Sequence, residues 1–291
     1  MSAAVIPTGR AAALDRVIEG IQKRGRPGLM AHLVVGYPTI GASRQIAQAL
    51  LRSGVDILEV QIPFSDPTAD GPTITLACHK ALELGARVAD AMRLVEEITR
   101  QSDVPVVVMS YANLLCSYRA VPAGQLVSSG QAGPGGERGI EHFTRDAARA
   151  GAAGLIVPDL PPEETQEGYP EACRRHGLHP IHVVSPNIGD DRLRAVASVA
   201  GGFLYSTSRT GTTGKEMEIA MTELSAFLGR ARTICGLPIA VGFSISKREQ
   251  IEAFRGIAEI AVVGSHFIRV HDRVGLAGLE REARVLAGRK D

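Results

Sequence analysis

Short runs of apolar, β-prone residues recur along the whole chain, and stretches with apolar positions three and four residues apart separate most of them. The runs predict eight strands, at Leu29–Val35, Ile57–Ile62, Val104–Met109, Gly154–Val157, Ile181–Val184, Phe203–Ser206, Ile239–Val241 and Ile260–Val263. The stretches between them predict helices that include Ser43–Arg52, Val88–Arg100, Ile140–Ala150, Gly168–His176, Asp191–Ala197, Thr222–Ala231 and Lys247–Phe254. Strands this short and continuously apolar are typical of a parallel sheet covered by helices. Their number favours an α/β fold in which the sheet closes into a (β/α)8, or TIM, barrel.

Two segments lie outside this alternation. An N-terminal helix, Leu14–Arg24, carries Leu14, Val17, Ile18 and Ile21 on one face, and we expect it to plug the bottom of the barrel. Residues Leu114–Gly139 follow the third strand and are rich in Gly and Ser, whereas βα loops usually take about 2 to 6 residues. We therefore expect one barrel domain over residues 1–291, with a flexible insertion at 114–139. The insertion lies on the face where barrels carry their chemistry, and the alternative is a surface loop without a role.

Composition narrows the class of protein. The chain has 291 residues, of which 45% are apolar and 22% charged, so it can bury a large core. Lys and Arg number 32 against 31 Asp and Glu, which argues against a nucleic-acid binder and against a polybasic membrane anchor. No apolar run approaches the roughly 20 residues of a membrane span, and no signal peptide is evident, so we expect a cytoplasmic protein. The four cysteines show no C-x-x-C spacing, which favours reduced thiols over disulfides or a zinc site.

The second strand carries unusual polar residues. Alternation places Leu58, Val60 and Ile62 on one face and puts Glu59 and Gln61 together on the other. If that face is the barrel interior, burial would raise the pKa of Glu59 towards neutrality, where a carboxyl group exchanges protons with substrate. The alternative is a glutamate paired with an arginine across the barrel, and alternation alone does not separate the two.

The loop after this strand contains two more carboxylates, Asp66 and Asp70, among prolines and glycines. Such a loop can bring a second carboxylate over the first, so that the two groups take different environments and different roles. The alternative is an ordinary turn, because Asp, Pro and Gly are also the common turn residues.

The last three predicted strands end in small polar residues. Gly214 follows the sixth strand, Ser244 the seventh, and Gly264 with Ser265 the eighth. Loops at these ends, together with a helix N-terminus, form the recurrent phosphate site of the barrel fold, and we expect one here. His32 and His182 lie in strands but have no metal-ligand spacing, so we expect no metal site.

Several of these residues form a pattern that resembles the tryptophan synthase α chain family. Its signature corresponds to Leu58-Glu59, to Ile62-Pro63-Phe64-Ser65-Asp66-Pro67 and to Ala69-Asp70-Gly71-Pro72-Thr73-Ile74. The resemblance continues at Gly36-Tyr37-Pro38, Met109-Ser110-Tyr111-Ala112-Asn113, Pro158-Asp159-Leu160-Pro161, Ser208-Arg209-Thr210-Gly211, Gly242-Phe243 and Gly264-Ser265.

The resemblance implies a lyase that cleaves indole-3-glycerol phosphate by a retro-aldol reaction into indole and glyceraldehyde 3-phosphate. Glu59 then corresponds to the general acid/base, Asp70 to the carboxylate that binds the indole N–H, and Tyr205 to a tyrosine that positions Glu59. Gly214, Ser244, Gly264 and Ser265 match phosphate-binding positions, and Arg209–Gly214 resembles a lid. The family docks on a β chain in an α2β2 complex, and pyridoxal phosphate belongs to that partner, so no cofactor is expected in this chain.

This sequence also departs from the family pattern. Gln61 stands where the family usually has Gly, His32 replaces an aromatic residue, and Ser244 replaces a Gly. With Tyr111 and Phe243, His32 and Gln61 are the residues we expect to line the substrate pocket. The insertion at 114–139 lies on the face that the β chain would cover. Two alternatives follow: a stand-alone aldolase that releases free indole or cleaves another phosphorylated substrate, and a catalytically idle subunit that regulates its partner.

Overall fold

The eight strands form one closed parallel barrel in chain order. A computed structural model describes residues 9–118, 139–162, 168–207, 214–242 and 244–289, with the backbone alone at 214–220. The strands are β1 (Gly28–Val34), β2 (Ile57–Gln61), β3 (Val106–Met109), β4 (Gly154–Ile156), β5 (His179–Val184), β6 (Leu204–Thr207), β7 (Ile239–Gly242) and β8 (Ile260–Val263). Each strand pairs with the next, and β8 pairs with β1. The predicted (β/α)8 barrel is confirmed, and every observed strand begins and ends within two residues of its predicted bounds.

Helices cover the outside of the barrel. Within the described residues they are α1 (Arg10–Arg24), α2 (Ile40–Arg52), α3 (Pro72–Glu83), α4 (Val88–Gln101), α5 (Ala112–Ser117), α6 (Ile140–Ala150), α7 (Tyr169–Arg175), α8 (Asp190–Val199), α9 (Gly214–Cys235), α10 (Arg248–Glu252) and α11 (Ser265–Leu286). Among these residues, no helix is long and apolar enough to cross a membrane.

Two hydrophobic layers hold the barrel together. The outward-facing strand residues, such as Leu58 and Val60, pack beneath the helices in one large core. A second core fills the barrel interior, where Met30, Ile57 and Ile260 meet the apolar face of α1. Leu14, Ile18 and Ile21 of α1 are buried in this interior core, so α1 closes the bottom of the barrel as predicted.

The start of the predicted insertion differs from the expectation. Leu114–Ser117 belong to α5, where Leu115 is fully buried, so the insertion does not begin at Leu114. The ring of Tyr118 packs edge-on against Phe143 with centroids 5.3 Å apart, and its hydroxyl donates to Asp146. These contacts anchor the chain at residue 118 because they bury an aromatic ring against α6. The backbone N–H of Gly139 donates to the Tyr118 carbonyl at 2.9 Å, and residues 119–138 lie outside the described ones.

Candidate functional site

Strand β2 delivers two polar side chains into the barrel. Glu59 is in register with His32 of β1 and with Val107 of β3, while Gln61 is in register with Val34 and Met109. Leu58 and Val60 belong to the outer core, so strand alternation places Glu59 and Gln61 inside the barrel. This is the orientation for which the sequence predicts a buried carboxyl group with a raised pKa.

Glu59 is a buried carboxyl group without a hydrogen-bond partner on one of its oxygens. The residue is 3% exposed, and Oε2 meets no partner among the described residues. Burial raises the pKa of Glu59 from 4.5 to about 7, while nearby His32 lowers it and the charge of Asp70 raises it. No arginine lies among the described residues that line the cavity around Glu59, which contradicts the pairing alternative. The environment leaves Glu59 able to accept and return a proton at neutral pH.

Asp70 is held above the same cavity by two donors. Its Oδ2 accepts a 2.6 Å hydrogen bond from Gln61 Nε2 and a 2.9 Å bond from the Tyr111 hydroxyl. The Tyr111 ring stacks on Phe64 with centroids 5.0 Å apart, which fixes the hydroxyl against the loop. Asp66, the other carboxylate of this loop, is exposed and accepts a bond from the Ser65 hydroxyl. The loop therefore brings one carboxylate to the cavity, and that one is Asp70.

Tyr205 lies on β6 and lines the cavity beside the two carboxyl groups. Burial raises the pKa of Tyr205 well above its ordinary value, and the charges of Glu59 and Asp70 raise it further. The hydroxyl therefore keeps its proton and remains a hydrogen-bond donor. Gly242 makes room for this ring, because a Cβ atom at that position would lie 3.0 Å from the Tyr205 hydroxyl.

The cavity extends from these groups to the ends of β7 and β8. Its volume is about 250 Å³, and Ile74, Met109, Ile156, Val183 and Val262 give it an apolar wall. A planar apolar ring fits such a wall, while the polar groups at either end fix its orientation.

The far end of the cavity has the features of an anion site. Ser244, Gly264 and Ser265 line it, Gly264 precedes α11, and Ser265 is the first residue of that helix. A helix N-terminus offers free backbone N–H groups and a favourable dipole to an anion. No lysine or arginine appears among the described residues around the cavity, and the anion donors in this part of the chain are backbone N–H groups and hydroxyls. Gly214 is the first residue of α9.

Three residues of the predicted substrate pocket have distinct positions. His32 lines the cavity. Gln61 and Tyr111 are buried behind Asp70 and do not line the described cavity, so they contact the carboxylate rather than a ligand. Phe243 and residues 209–213 of the predicted lid lie outside the described residues.

Sequence reasoning missed the hydrogen bonds that connect these residues. His32 Nε2–H donates to Gln61 Oε1 at 2.6 Å, and Gln61 Nε2 donates to Asp70. The inward direction of Gln61 was the available signal, but its partner Asp70 belongs to a loop whose path the sequence does not specify. His182 points away from the cavity, and its ring packs edge-on against Tyr169 with centroids 5.8 Å apart. Nowhere in the described part of the chain do three or more His, Cys, Asp or Glu side chains cluster as metal ligands.

Comparisons of the sequence with known proteins point to one family. The family model "Tryptophan synthase alpha chain" matches residues 18–125 and 131–286. The tryptophan synthase alpha chain of Syntrophotalea carbinolica is 36% identical over 258 residues, which cover 89% of this chain and 93% of that relative. The tryptophan synthase alpha chain of Desulforapulum autotrophicum is 38% identical over 259 residues, covering 89% and 94%.

Solved structures agree with the sequence relatives. A chain of tryptophan synthase from M. tuberculosis, in an aminoacrylate-bound form, superposes with a TM-score of 0.79 at 32% identity, over 94% of this chain and 98% of that one. The tryptophan synthase alpha subunit of Legionella pneumophila gives a TM-score of 0.79 at 26% identity, over 95% and 97%. The similarity extends over the barrel and includes the positions of Glu59 and Asp70. This chain belongs to the tryptophan synthase alpha chain family.

Proposed function

We propose that Glu59 and Asp70 carry out the lyase reaction of the tryptophan synthase alpha chain family in this protein. The reaction is the retro-aldol cleavage of indole-3-glycerol phosphate into indole and glyceraldehyde 3-phosphate. One observation supports this assignment above the others: a buried carboxyl group with an unpartnered oxygen and a pKa of about 7 lies in an apolar cavity.

Glu59 is assigned both proton transfers. The ring carbon that carries the side chain first gains a proton with the help of Glu59, and positive charge develops on the ring nitrogen. The Glu59 carboxylate takes the proton of the side-chain hydroxyl, the aldehyde forms, and the electrons of the breaking C–C bond neutralise the ring. One proton is gained by the ring carbon and one is lost from the hydroxyl, so the products balance the substrate. A pKa near the working pH suits a group that must act as base and as acid in one cycle.

Asp70 is assigned to the indole nitrogen. Both donors from Gln61 and Tyr111 end on Oδ2, which leaves Oδ1 for the ring N–H. A fixed carboxylate there stabilises the positive charge that develops on the nitrogen when the ring carbon is protonated. Tyr205 is assigned to positioning Glu59, and His32 and Phe243 to the pocket around the ring.

The phosphate is assigned to the end of the cavity formed by Ser244, Gly264 and Ser265, with Gly214 as a further backbone contact. The N-terminus of α11 and the Ser265 hydroxyl support this assignment because both present donors at the cavity. A substrate bound by its phosphate at one end and its ring nitrogen at the other is held with its scissile bond near Glu59.

We further propose that the chain needs no cofactor of its own and acts in the cytoplasm with a β chain that holds pyridoxal phosphate. Membership in the family and the tryptophan synthase from M. tuberculosis among the similar structures support the partnership. The chain between Tyr118 and Gly139 is the part of this protein that we propose changes the contact with a β chain.

The test is to incubate the purified protein with indole-3-glycerol phosphate and to measure indole, first alone and then with a β chain. Release of indole that the β chain accelerates supports the proposed role. Release that a β chain does not change would favour the stand-alone aldolase. No indole under either condition would contradict the assignment of substrate.

A further inference from the structure

The side chain of Gln61 joins Asp70 to His32 in the interior of the barrel. It is 0% exposed, and its Nε2 lies 2.6 Å from Asp70 Oδ2 while its Oε1 lies 2.6 Å from His32 Nε2. It does not line the cavity and takes no part in the reaction as described above. A buried amide in this place therefore needs a physical reason.

The hydrogen bonds of Gln61 fix the direction of its amide. An ionised carboxylate only accepts hydrogen bonds, so the amide NH2 must face Asp70 and the amide oxygen must face His32. The His32 ring is held on its other side by the backbone at Gly264, where a Cβ atom would lie 2.9 Å from Nδ1. Rotating the amide by half a turn would set its oxygen against the carboxylate oxygen of Asp70.

We propose that Gln61 is a positioning residue for the lyase reaction: it holds the Asp70 carboxylate with Oδ1 towards the indole nitrogen, while its amide oxygen accepts a hydrogen bond from His32. This inference rests on the proposed function of Asp70. Tyr111 supplies the second donor to Oδ2, so the carboxylate is held by two side chains that are not among the described residues lining the cavity.

The expected effect of losing Gln61 on kcat and KM depends on the step at which the indole nitrogen becomes positive. The indole nitrogen becomes positive only as the ring carbon is protonated, so a misplaced Asp70 weakens the transition state more than the bound substrate. Loss of one hydrogen bond to a charged group should therefore lower kcat by roughly tenfold or more, with a much smaller change in KM.

The first experiment compares Gln61→Met with Val60→Ala in steady-state cleavage of indole-3-glycerol phosphate. Methionine keeps the length of the side chain but removes the hydrogen bonds to Asp70 and His32, together with the 3.6 Å bond from Nε2 to Cys78 Sγ. Val60 lies on the same strand and faces the outer core, so Val60→Ala should lower thermal stability and leave kcat within about twofold of the parent value.

A kcat for Gln61→Met equal to that of Val60→Ala would overturn the proposal. Gln61→Glu, which keeps the shape and sets two carboxylates together, should lose at least as much kcat at pH 8.

The second experiment repeats Gln61→Met in the Asp70→Asn background. If Gln61 acts through the Asp70 carboxylate, its loss should have little further effect on kcat there, whereas a general structural role would lower kcat by the same factor in both backgrounds. An additive loss overturns the inference. If Gln61→Met has a normal kcat while Glu59→Gln is inactive, only the role of Gln61 is overturned. If Glu59→Gln has normal turnover, the proposed function itself is overturned.

Discussion

Gly264 packs directly against the imidazole of His32: a Cβ atom at this glycine would lie 2.9 Å from Nδ1 and 3.2 Å from Cγ of the ring. The ring has little freedom to retreat, because its Nε2 is bound to Gln61. The proposed phosphate end and ring end of the cavity are thus in contact through this one pair of residues.

Gly264→Ala should therefore disturb both ends of the cavity. Displacing the His32 ring or the start of α11 should lower kcat/KM by roughly 10- to 100-fold. Gly189→Ala is the matched control, since Gly189 also precedes a helix, has φ −77° and has nothing within 4 Å of its Cβ position. Equal kinetics in the two variants would show that the contact has no role.

The pKa of Glu59 predicts the pH dependence of the reaction. Only the carboxylate form can take the hydroxyl proton, so kcat/KM should fall about tenfold per pH unit below about pH 7. The profile is measured on the free protein under conditions where the fold is intact. A flat profile down to pH 5 would mean that the titrating base is another group.

The same pKa predicts an effect on stability. In the folded chain the pKa of Glu59 is raised from 4.5 to about 7, so between these values the folded state keeps a proton that the unfolded chain releases. Folding stability therefore decreases as pH rises through this window. At pH 8 the buried charge costs up to about 3 kcal/mol, and Glu59→Gln should raise the free energy of unfolding by up to that amount.

Urea unfolding at pH 8 and at pH 5 checks this prediction, since most of the gain should disappear at pH 5. Glu83→Gln makes the same change at an exposed position of α3 and should alter stability little at either pH. A Glu59→Gln variant that is less stable than the parent at pH 8 would show that the charged carboxylate has stabilising partners.

Substitution of Ser265 tests the anion site. Ser265→Asp places a negative charge at the N-terminus of α11, where it should repel the substrate phosphate and raise KM sharply with a smaller effect on kcat. Sulfate should compete with the substrate in the parent protein and compete poorly in the variant. Ser198→Asp adds the same charge on the exposed face of α8 and should leave KM unchanged. Similar KM values in both variants would argue that the phosphate binds elsewhere.

The barrel could be predicted because each strand is a short apolar run. Two helices, α11 and α3, show why other elements could not be predicted. Helix α11 was missed because Gly275, with φ 69° and ψ −170°, breaks its regular conformation and its apolar period. Helix α3 begins within the Pro- and Gly-rich segment after β2, which reads as a loop although Gly71 and Pro72 begin a helix there.

The candidate site also has features that the local sequence pattern predicts and features that it does not. Alternation along β2 predicted that Glu59 and Gln61 share a face, but the choice between a free carboxyl group and an arginine pair depends on distant strands. The hydrogen bond of Gln61 to Asp70 depends on the path of a loop, and the contact of His32 with Gly264 depends on the closure of β8 onto β1. Such tertiary relationships leave no local pattern in the sequence.

Turnover of Glu59→Gln on indole-3-glycerol phosphate is the decisive test of the acid/base role of Glu59, because the substitution keeps the size of the side chain and removes its proton exchange. We expect indole release to fall by roughly 10²-fold or more, with circular dichroism showing an intact fold. Glu83→Gln should keep parental turnover. Near-parental release of indole by a folded Glu59→Gln variant would contradict the assignment of Glu59 as the acid/base group.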